Sequence, residues 1–402
     1  MLTDAIPLLH GVRVLDASRI LAGPLCGQML GDLGADVIKI ERPGQGDDTR
    51  TWGPPFAGPY SAYFLSCNRN KKSLALDISQ PAGQTILHRL LDEQDVFIEN
   101  FRFESISHMG LTPEELLARH PRLICCSISG YGRTGPMRDE PGYDAAIQAM
   151  SGLMAITGPL EGPPSKVGVA VADVLTGLQA TIAILACLRA RERSNHGYAI
   201  DLALLDCAVA AQVNLAQAFL TSGQVPERQG NAHLQIVPYQ TFATQNGWIV
   251  LSVGNDSQWR HFCLAAHAEH LSCDVRFASN SSRVLHRTIL IPLLELIMKQ
   301  ATTEEWCDRL SQAHVTHSKV YNYAELFTQE QVAARGLKVL VRDPSGNPVE
   351  LLGSPMHIQG APAVNPTMPP RLGEHTASIL QDHLGFDACT LEELRHAGII
   401  EG

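Results

Sequence analysis

The sequence predicts an α/β fold: an open, Rossmann-like parallel-sheet domain with a smaller α/β domain. Two observations carry that expectation. Residues 11–18 (GVRVLDAS) alternate like a strand, residues 24–34 space their apolar side chains for a helix, and residues 36–41 (DVIKIE) read as a second strand. A strand-helix-strand opening implies a parallel sheet with a right-handed crossover. The second observation is a change of composition after about residue 222, followed by a strand-like return near residues 339–342.

The remaining elements follow in order. Residues 95–99 and 123–129 read as further strands, residues 144–154 as a buried helix, and 167–172 as a strand or an extended approach. Residues 174–193 give the clearest helical pattern, with Leu175, Leu178, Ile182, Leu185 and Leu188 on related faces. Residues 223–235 resemble a crossing between domains, and 248–253 (WIVLSV) is a strand. Helices are expected at 258–266 and 289–299, with Pro292 in a first turn, where its missing N–H is harmless. Thr302 with Glu305, and Thr390 with Glu393, have capping-box spacing. Residues 360–370 hold four prolines and should be extended, before two last helices at 375–383 and 391–397. The expected division is 1–222 for the large domain, 223–324 for the small one, and 325–402 for a segment that returns to complete the first.

At 402 residues the chain can bury more than one core. Its 45% hydrophobic and 18% charged residues exclude a disordered tail, a collagenous repeat and a coiled coil. A net charge of −10 argues against nucleic-acid binding, while leaving room for a local basic pocket. No uninterrupted apolar run suits a membrane span, and residues 1–10 do not resemble a targeting segment. Ten Cys without a Cys-x-x-Cys read as reduced, mostly buried thiols, so a cytoplasmic location is expected.

Several chemistries are missing from the sequence. It contains no His-Glu-x-x-His, no Walker loop, no Gly-x-Ser-x-Gly elbow, and no Gly-x-Gly-x-x-Gly after the first strand. His314 and His317 lack companions at metal-ligand spacing, so no metal is expected. Asp173 stands out because it meets the start of the long helix. There, backbone N–H groups and the helix dipole favour an ionised carboxylate, which can cap the helix or attack an activated acyl group. Arg69, Lys71 and Lys72, mixed with Asn68 and Asn70, form a cationic cluster, and Lys39 and Arg42 lie at the end of the second strand. Open α/β sheets place ligands at such strand ends, where cations meet phosphates or form a solvated basic surface.

Taken together, these stretches resemble the class III CoA-transferase (CaiB/BaiF) family. The resemblance is carried by Leu21-Ala22-Gly23-Pro24, the run from Gly34 to Pro43, Gly46-Asp47-Asp48-Thr49-Arg50, the run from Asn68 to Ser73, Glu99-Asn100-Phe101, Gly130-Tyr131-Gly132, the run from Ser151 to Met154, the run from Pro238 to Phe242 and the run from Leu372 to Thr376. It implies that Asp173 is the nucleophile and that CoA or acyl-CoA is a substrate, with no resident cofactor. CoA contacts carry over to Leu21, Ala22, Arg42, Cys67, Asn68, Arg69, Asn70, Asn100, Phe101 and Arg102, with Lys71 near a phosphate and His108 at a variable contact position. Tyr143 and Asp144 fall beside the reacting thioester. In racemases that share the fold, an acid/base His stands where Tyr143 is here, and a phenol is a poor base at neutral pH. A Gly-rich loop of oxalate-using relatives corresponds to Gly254-Asn255-Asp256, which retains one Gly. Residues 47–56, 152–159 and 232–239 look like the succinate–glutarate branch, which implies dicarboxylate acceptors such as glutarate or itaconate and succinyl-CoA as donor. Arg69, Arg102 and His233 are the candidates for the acceptor's second carboxylate. The resemblance also implies an interlocked homodimer.

Overall fold

A computed structural model of the chain describes residues 6–362 and 364–402. The chain forms two units. The first runs to Leu153, resumes over Val167–Gly223 and closes with Gln331–Gly402; the second comprises Met154–Lys166 and Gln224–Glu330. The excursion at Met154–Lys166 has no counterpart in the sequence-based division. It is tied down within the second unit by Arg228, whose guanidinium donates to the carbonyls of Pro159 and Gly162.

The first unit is built on a seven-stranded sheet. Its order is Ile400–Glu401, Lys72–Leu76, Asp36–Glu41, Arg13–Asp16, Val96–Glu99, Ile124–Ser129, Tyr198–Ala203. All neighbours pair in parallel except the short last strand, Ile400–Glu401, which runs antiparallel along the Lys72–Leu76 edge. Strand periodicity separates two cores. Leu15, Ile38, Leu74 and Phe97 face one side, with Ile86, Leu90, Ile379 and Leu391 over them. Val14, Val37, Val96 and Ile98 face the other, with Cys26, Leu30, Ala180 and Ile184 over them. The chain steps outward from Arg13–Asp16 to Asp36–Glu41 and Lys72–Leu76, then returns to the other side at Val96–Glu99. That reversal opens a crevice at the carboxyl ends of these strands.

Helix Val171–Ser194 is long and apolar enough to cross a membrane. Here it is a core helix of the first unit, burying Ala172, Thr176, Gly177, Ala180, Thr181, Ile184 and Arg191. It packs closely on helix Ala22–Asp32 because Gly177 has no side chain. A Cβ there would lie 2.7 Å from the Ala22 carbonyl oxygen.

The second unit has a three-stranded antiparallel sheet, ordered Thr316–Lys319, Trp248–Ser252, Tyr239–Ala243. Trp259, Phe262, Phe277, Leu290, Leu294 and Trp306 fill its core. Thr302 and Glu305 form the expected capping box. Pro292 departs from expectation: its helix spans Arg287–Met298, so the proline lies inside it and not in the first turn. The last helix, Ala388–His396, is capped by Asp387, which accepts the Thr390 N–H; Thr390 is therefore the capped residue and not the cap.

Candidate active site

Asp173 is the third residue of helix Val171–Ser194, which starts three residues earlier than its apolar pattern suggests. The N-cap residue is Ala170, which has no side chain to offer. Asp144 supplies the cap from the neighbouring helix Asp144–Met150, its Oδ1 accepting the Ala172 N–H at 2.8 Å. Asp144 Oδ2 accepts from Gln148 Nε2 at 2.6 Å, and Gln148 Oε1 accepts the Val167 N–H at 2.9 Å. The buried Gln148 thus ties Asp144 to the segment that leads into the helix carrying Asp173.

This arrangement corrects the expected ionisation of Asp173. Burial pushes its carboxyl up to about 7, and the Asp144 charge adds to the effect. Neither factor is visible in the local sequence, where only the favourable helix terminus shows. Among the described residues, no hydrogen-bond donor meets the Asp173 carboxylate and no acceptor takes its N–H. Tyr63 lies close enough to feel this charge: burial first, and then Asp173, push its phenol up to about 12. The Tyr63 ring meets Trp52 edge-on, with centroids 5.1 Å apart. The Ala22 carbonyl packs at Gly177, one turn beyond Asp173, which brings the 21–22 segment to the same end of the helix pair.

The crevice at the strand ends is a cleft of about 740 Å³, whose lining includes Arg19, Arg42, Gln45, Phe101, His108 and Met109. Its floor is a buried charge network. Lys39 pairs with Asp47 at 2.9 Å and donates to the Ser18 carbonyl at 2.7 Å. Lys71 donates to Asp16 at 2.9 Å, to the Pro24 carbonyl at 2.7 Å and to Asn68 Oδ1 at 2.9 Å. Burial alone would raise Asp47, but Lys39 and the Thr49 hydrogen bonds hold it down at about 2. Asp47 also accepts the Ile20 N–H, and the Asn100 side chain bonds both the N–H and the carbonyl of Arg19. The network therefore fixes the loop between the first strand and its helix. The cleft lined by Arg42 and His108 and the raised Asp173 carboxylate both belong to this one unit.

A sequence profile described as CoA-transferase family III matches residues 9–376. The chain belongs to CoA-transferase family III. It is 41% identical over 398 residues to the succinyl-CoA:glutarate CoA-transferase of Mus musculus, covering 99% of this chain and 91% of the relative. It is 40% identical over 382 residues to the succinate–glutarate CoA-transferase of Agrobacterium fabrum, covering 94% and 96%. A crystal structure of a CAIB/BAIF family protein from Brucella suis superposes with a TM-score of 0.85 at 42% identity, covering 94% of this chain and all of that one.

In this class III CoA-transferase the residues implied as CoA contacts fall into two groups. Arg42 and His108 line the cleft, and Arg102 is exposed; none of these three side chains has a hydrogen-bond partner among the described residues. Leu21 and the buried Ala22 open the first helix, and Phe101 lines the cleft with its carbonyl held by Arg133. The second group is committed to the fold. Cys67 is buried, its thiol pushed up to about 11, and Asn68 is buried against the Phe64 carbonyl. Asn70 pairs with Asp32 and Thr367. Arg69 makes a two-pronged contact with Asp32 and a third bond to the Leu352 carbonyl. Three of its five N–H donors are thereby committed and the side chain is buried, which argues against it as the partner of an acceptor carboxylate. Lys71 is corrected likewise, because all three ammonium protons are taken, and so is Lys39, which is buried and not a phosphate-facing cation. Both look like surface cations in sequence because their partners lie 55 and 8 residues away.

Tyr143 is 71% exposed at the N-cap of the Asp144 helix. In the second unit, His233 stacks on Tyr239 at 5.3 Å and accepts the Gln235 N–H at its Nδ1. The Gly254-Asn255-Asp256 turn is braced: Gly254 N–H bonds Gln258 Oε1, Asn255 caps the next helix, and Asp256 pairs with buried Arg283. Sequence reading missed Tyr63, Gln148, Asp16 and Asp47. Asp47 stands in a family stretch, but Tyr63 and Gln148 carry no local signal, since only tertiary packing brings them to the site.

The buried network yields a direct test. Lys71→Met leaves Asp16 without its closest cation and should destabilise the protein by about 3–5 kcal/mol in urea titrations. An unchanged midpoint would contradict the structural role assigned to Lys71.

Proposed function

We propose that the protein moves CoA from succinyl-CoA to a dicarboxylic acid such as glutarate or itaconate, through an aspartyl-CoA thioester on Asp173. The observation that carries the route is the Asp173 carboxylate, free of hydrogen-bond partners among the described residues and raised to about 7. At neutral pH a substantial fraction is ionised, and a more basic carboxylate is a stronger nucleophile. The choice of donor and acceptor is supported by the names of the mouse and Agrobacterium relatives.

The steps balance without ATP. An Asp173 oxygen attacks the succinyl-CoA carbonyl, the C–S bond breaks, and CoA thiolate leaves behind a mixed anhydride. The thiolate then attacks the Asp173 carbonyl of that anhydride, releasing succinate and forming the aspartyl thioester. The acceptor carboxylate enters, and the same two steps run in reverse. The unpaired N–H of Asp173 is available to donate to a developing oxyanion, since the Val171, Ala172 and Val174 amides are already bonded. Arg42 and His108 in the cleft suit the anionic end of CoA. Arg102 and His233 stay as candidates for the acceptor's far carboxylate.

Two copies are proposed to interlock as a homodimer. Helix Val213–Ser222 supports this reading: none of its residues is buried, and Val213 and Leu220 are 71% and 75% exposed. A monomer by light scattering would contradict it. The activity test is a panel of diacids with succinyl-CoA, read by chromatography of the CoA esters. Glutaryl-CoA or itaconyl-CoA should form with equimolar succinate. An enzyme that exchanges the α-proton of an acyl-CoA with solvent deuterium, and transfers no CoA, would overturn the reading.

A further inference from the structure

We infer that Asp144, clamped by Gln148, is a positioning residue that activates Asp173 by holding a second carboxylate beside it, a repulsion relieved when Asp173 is acylated. This rests on the transferase reading above. Geometry is its first support. Asp144 does not meet Asp173 by chance of rotamer: one oxygen is fixed by the Ala172 N–H, immediately before the nucleophile, and the other by Gln148 Nε2. Gln148 is in turn buried and fixed by the Val167 N–H. A carboxylate so bound cannot turn away from its neighbour. The ground state then holds two negative charges at one helix start. After attack on the thioester, the Asp173 charge has left with the CoA sulfur, and the anhydride faces Asp144 as a neutral group. The repulsion falls on the reactants and not on the acylated enzyme, which lowers the barrier to acylation.

The surroundings make Asp144 the controlling charge. Tyr63 and Cys67, on helix Ala62–Cys67, are pushed up to about 12 and about 11 and stay neutral. Cys26, on helix Ala22–Asp32, is pushed up to about 12, and Asp32 at that helix's far end is held by Arg69. Helix Leu204–Ala210 contributes Asp206 and a raised Cys207. Strand Ile124–Ser129 contributes the raised Cys125 and Cys126, and strand Tyr198–Ala203 contributes Tyr198 and Asp201, the latter accepting the Arg133 N–H. Burial is the larger cause of the raised Asp173 carboxyl; of these groups Asp144 is the charge that adds to it, and no cation among the described residues offsets it.

The test is the pH dependence of kcat/KM for succinyl-CoA, with glutarate as acceptor, in the wild type, Asp144→Asn and Asp144→Glu. The substrate's own ionisations are common to all three. The wild type should lose activity on the acid side with a midpoint near 7. In Asp144→Asn that midpoint should move to lower pH by about one unit or more, and the plateau above it should fall several-fold. Asp144→Glu should restore the wild-type midpoint. An Asp144→Asn profile that is lower but unshifted would reduce Asp144 to a structural cap and overturn the inference. Should Asp144→Asn fail to fold, Gln148→Leu provides the same readout. It releases one oxygen of Asp144 and should shift the midpoint in the same direction by less, and an unmoved midpoint overturns the inference again. Wild-type enzyme that transfers nothing from any donor would remove the transferase reading and this inference with it. Transfer with an unmoved midpoint removes the inference alone.

Discussion

Asp173→Asn should yield a folded protein that transfers no CoA. The side chain packs in the same space and makes no hydrogen bond whose loss could unfold the helix start. An amide cannot form the anhydride, so turnover should fall on the order of 10⁴-fold or more. The loss should appear in kcat, with succinyl-CoA binding retained, because the cleft groups Arg42 and His108 are untouched. Calorimetric titration with succinyl-CoA, paired with the exchange assay, separates the two effects. Retained turnover in Asp173→Asn would remove the nucleophile assignment outright.

The same substitution should stabilise the protein at alkaline pH, the reverse of what most buried substitutions do. A carboxyl raised to about 7 in the fold and near 4 when unfolded binds an extra proton in the folded state between those values. Stability contributed by that proton is present at low pH and is lost as pH rises from about 4 through 7. By pH 8 the wild type carries the full burden of an ionised, half-buried carboxylate beside Asp144, on the order of 2–4 kcal/mol. Asparagine does not titrate. Urea denaturation should therefore show Asp173→Asn more stable than wild type at pH 8, with the gap shrinking at pH 5. Equal stability at both values would mean that Asp173 is not held against its own ionisation.

These two effects concern one residue whose importance could be read from sequence while its environment could not. The position of Asp173 before an apolar run, and its place in a family stretch, marked it as a nucleophile candidate. The helix starts three residues before its apolar pattern suggests because Val171 and Ala172 carry no capping signal; the cap comes from Asp144, across a tertiary contact. Burial raises the carboxyl and the Asp144 charge adds to it, against the direction that the helix terminus favours. The sheet was legible for a different reason. In Arg13–Asp16 and Asp36–Glu41 the period-two pattern is local, and neighbouring residues such as Val14 and Leu15 do face opposite cores. The capping box at Thr302 is legible on the same ground, whereas Thr390 lies inside its helix because Asp387, three residues upstream, is the cap and accepts the Thr390 N–H. Lys39 and Lys71 look ligand-facing in the sequence because charge is local information and pairing is not. Their partners Asp47 and Asp16 convert them into the floor of the cleft.

The most direct test of the account is peptide mass spectrometry after incubating the enzyme with succinyl-CoA and trapping with hydroxylamine. An aspartyl-CoA thioester on Asp173 predicts a hydroxamate on the peptide that contains Asp173, formed only when the thioester is present and absent from Asp173→Asn. No adduct with any acyl-CoA, or an adduct confined to another residue, would contradict the account.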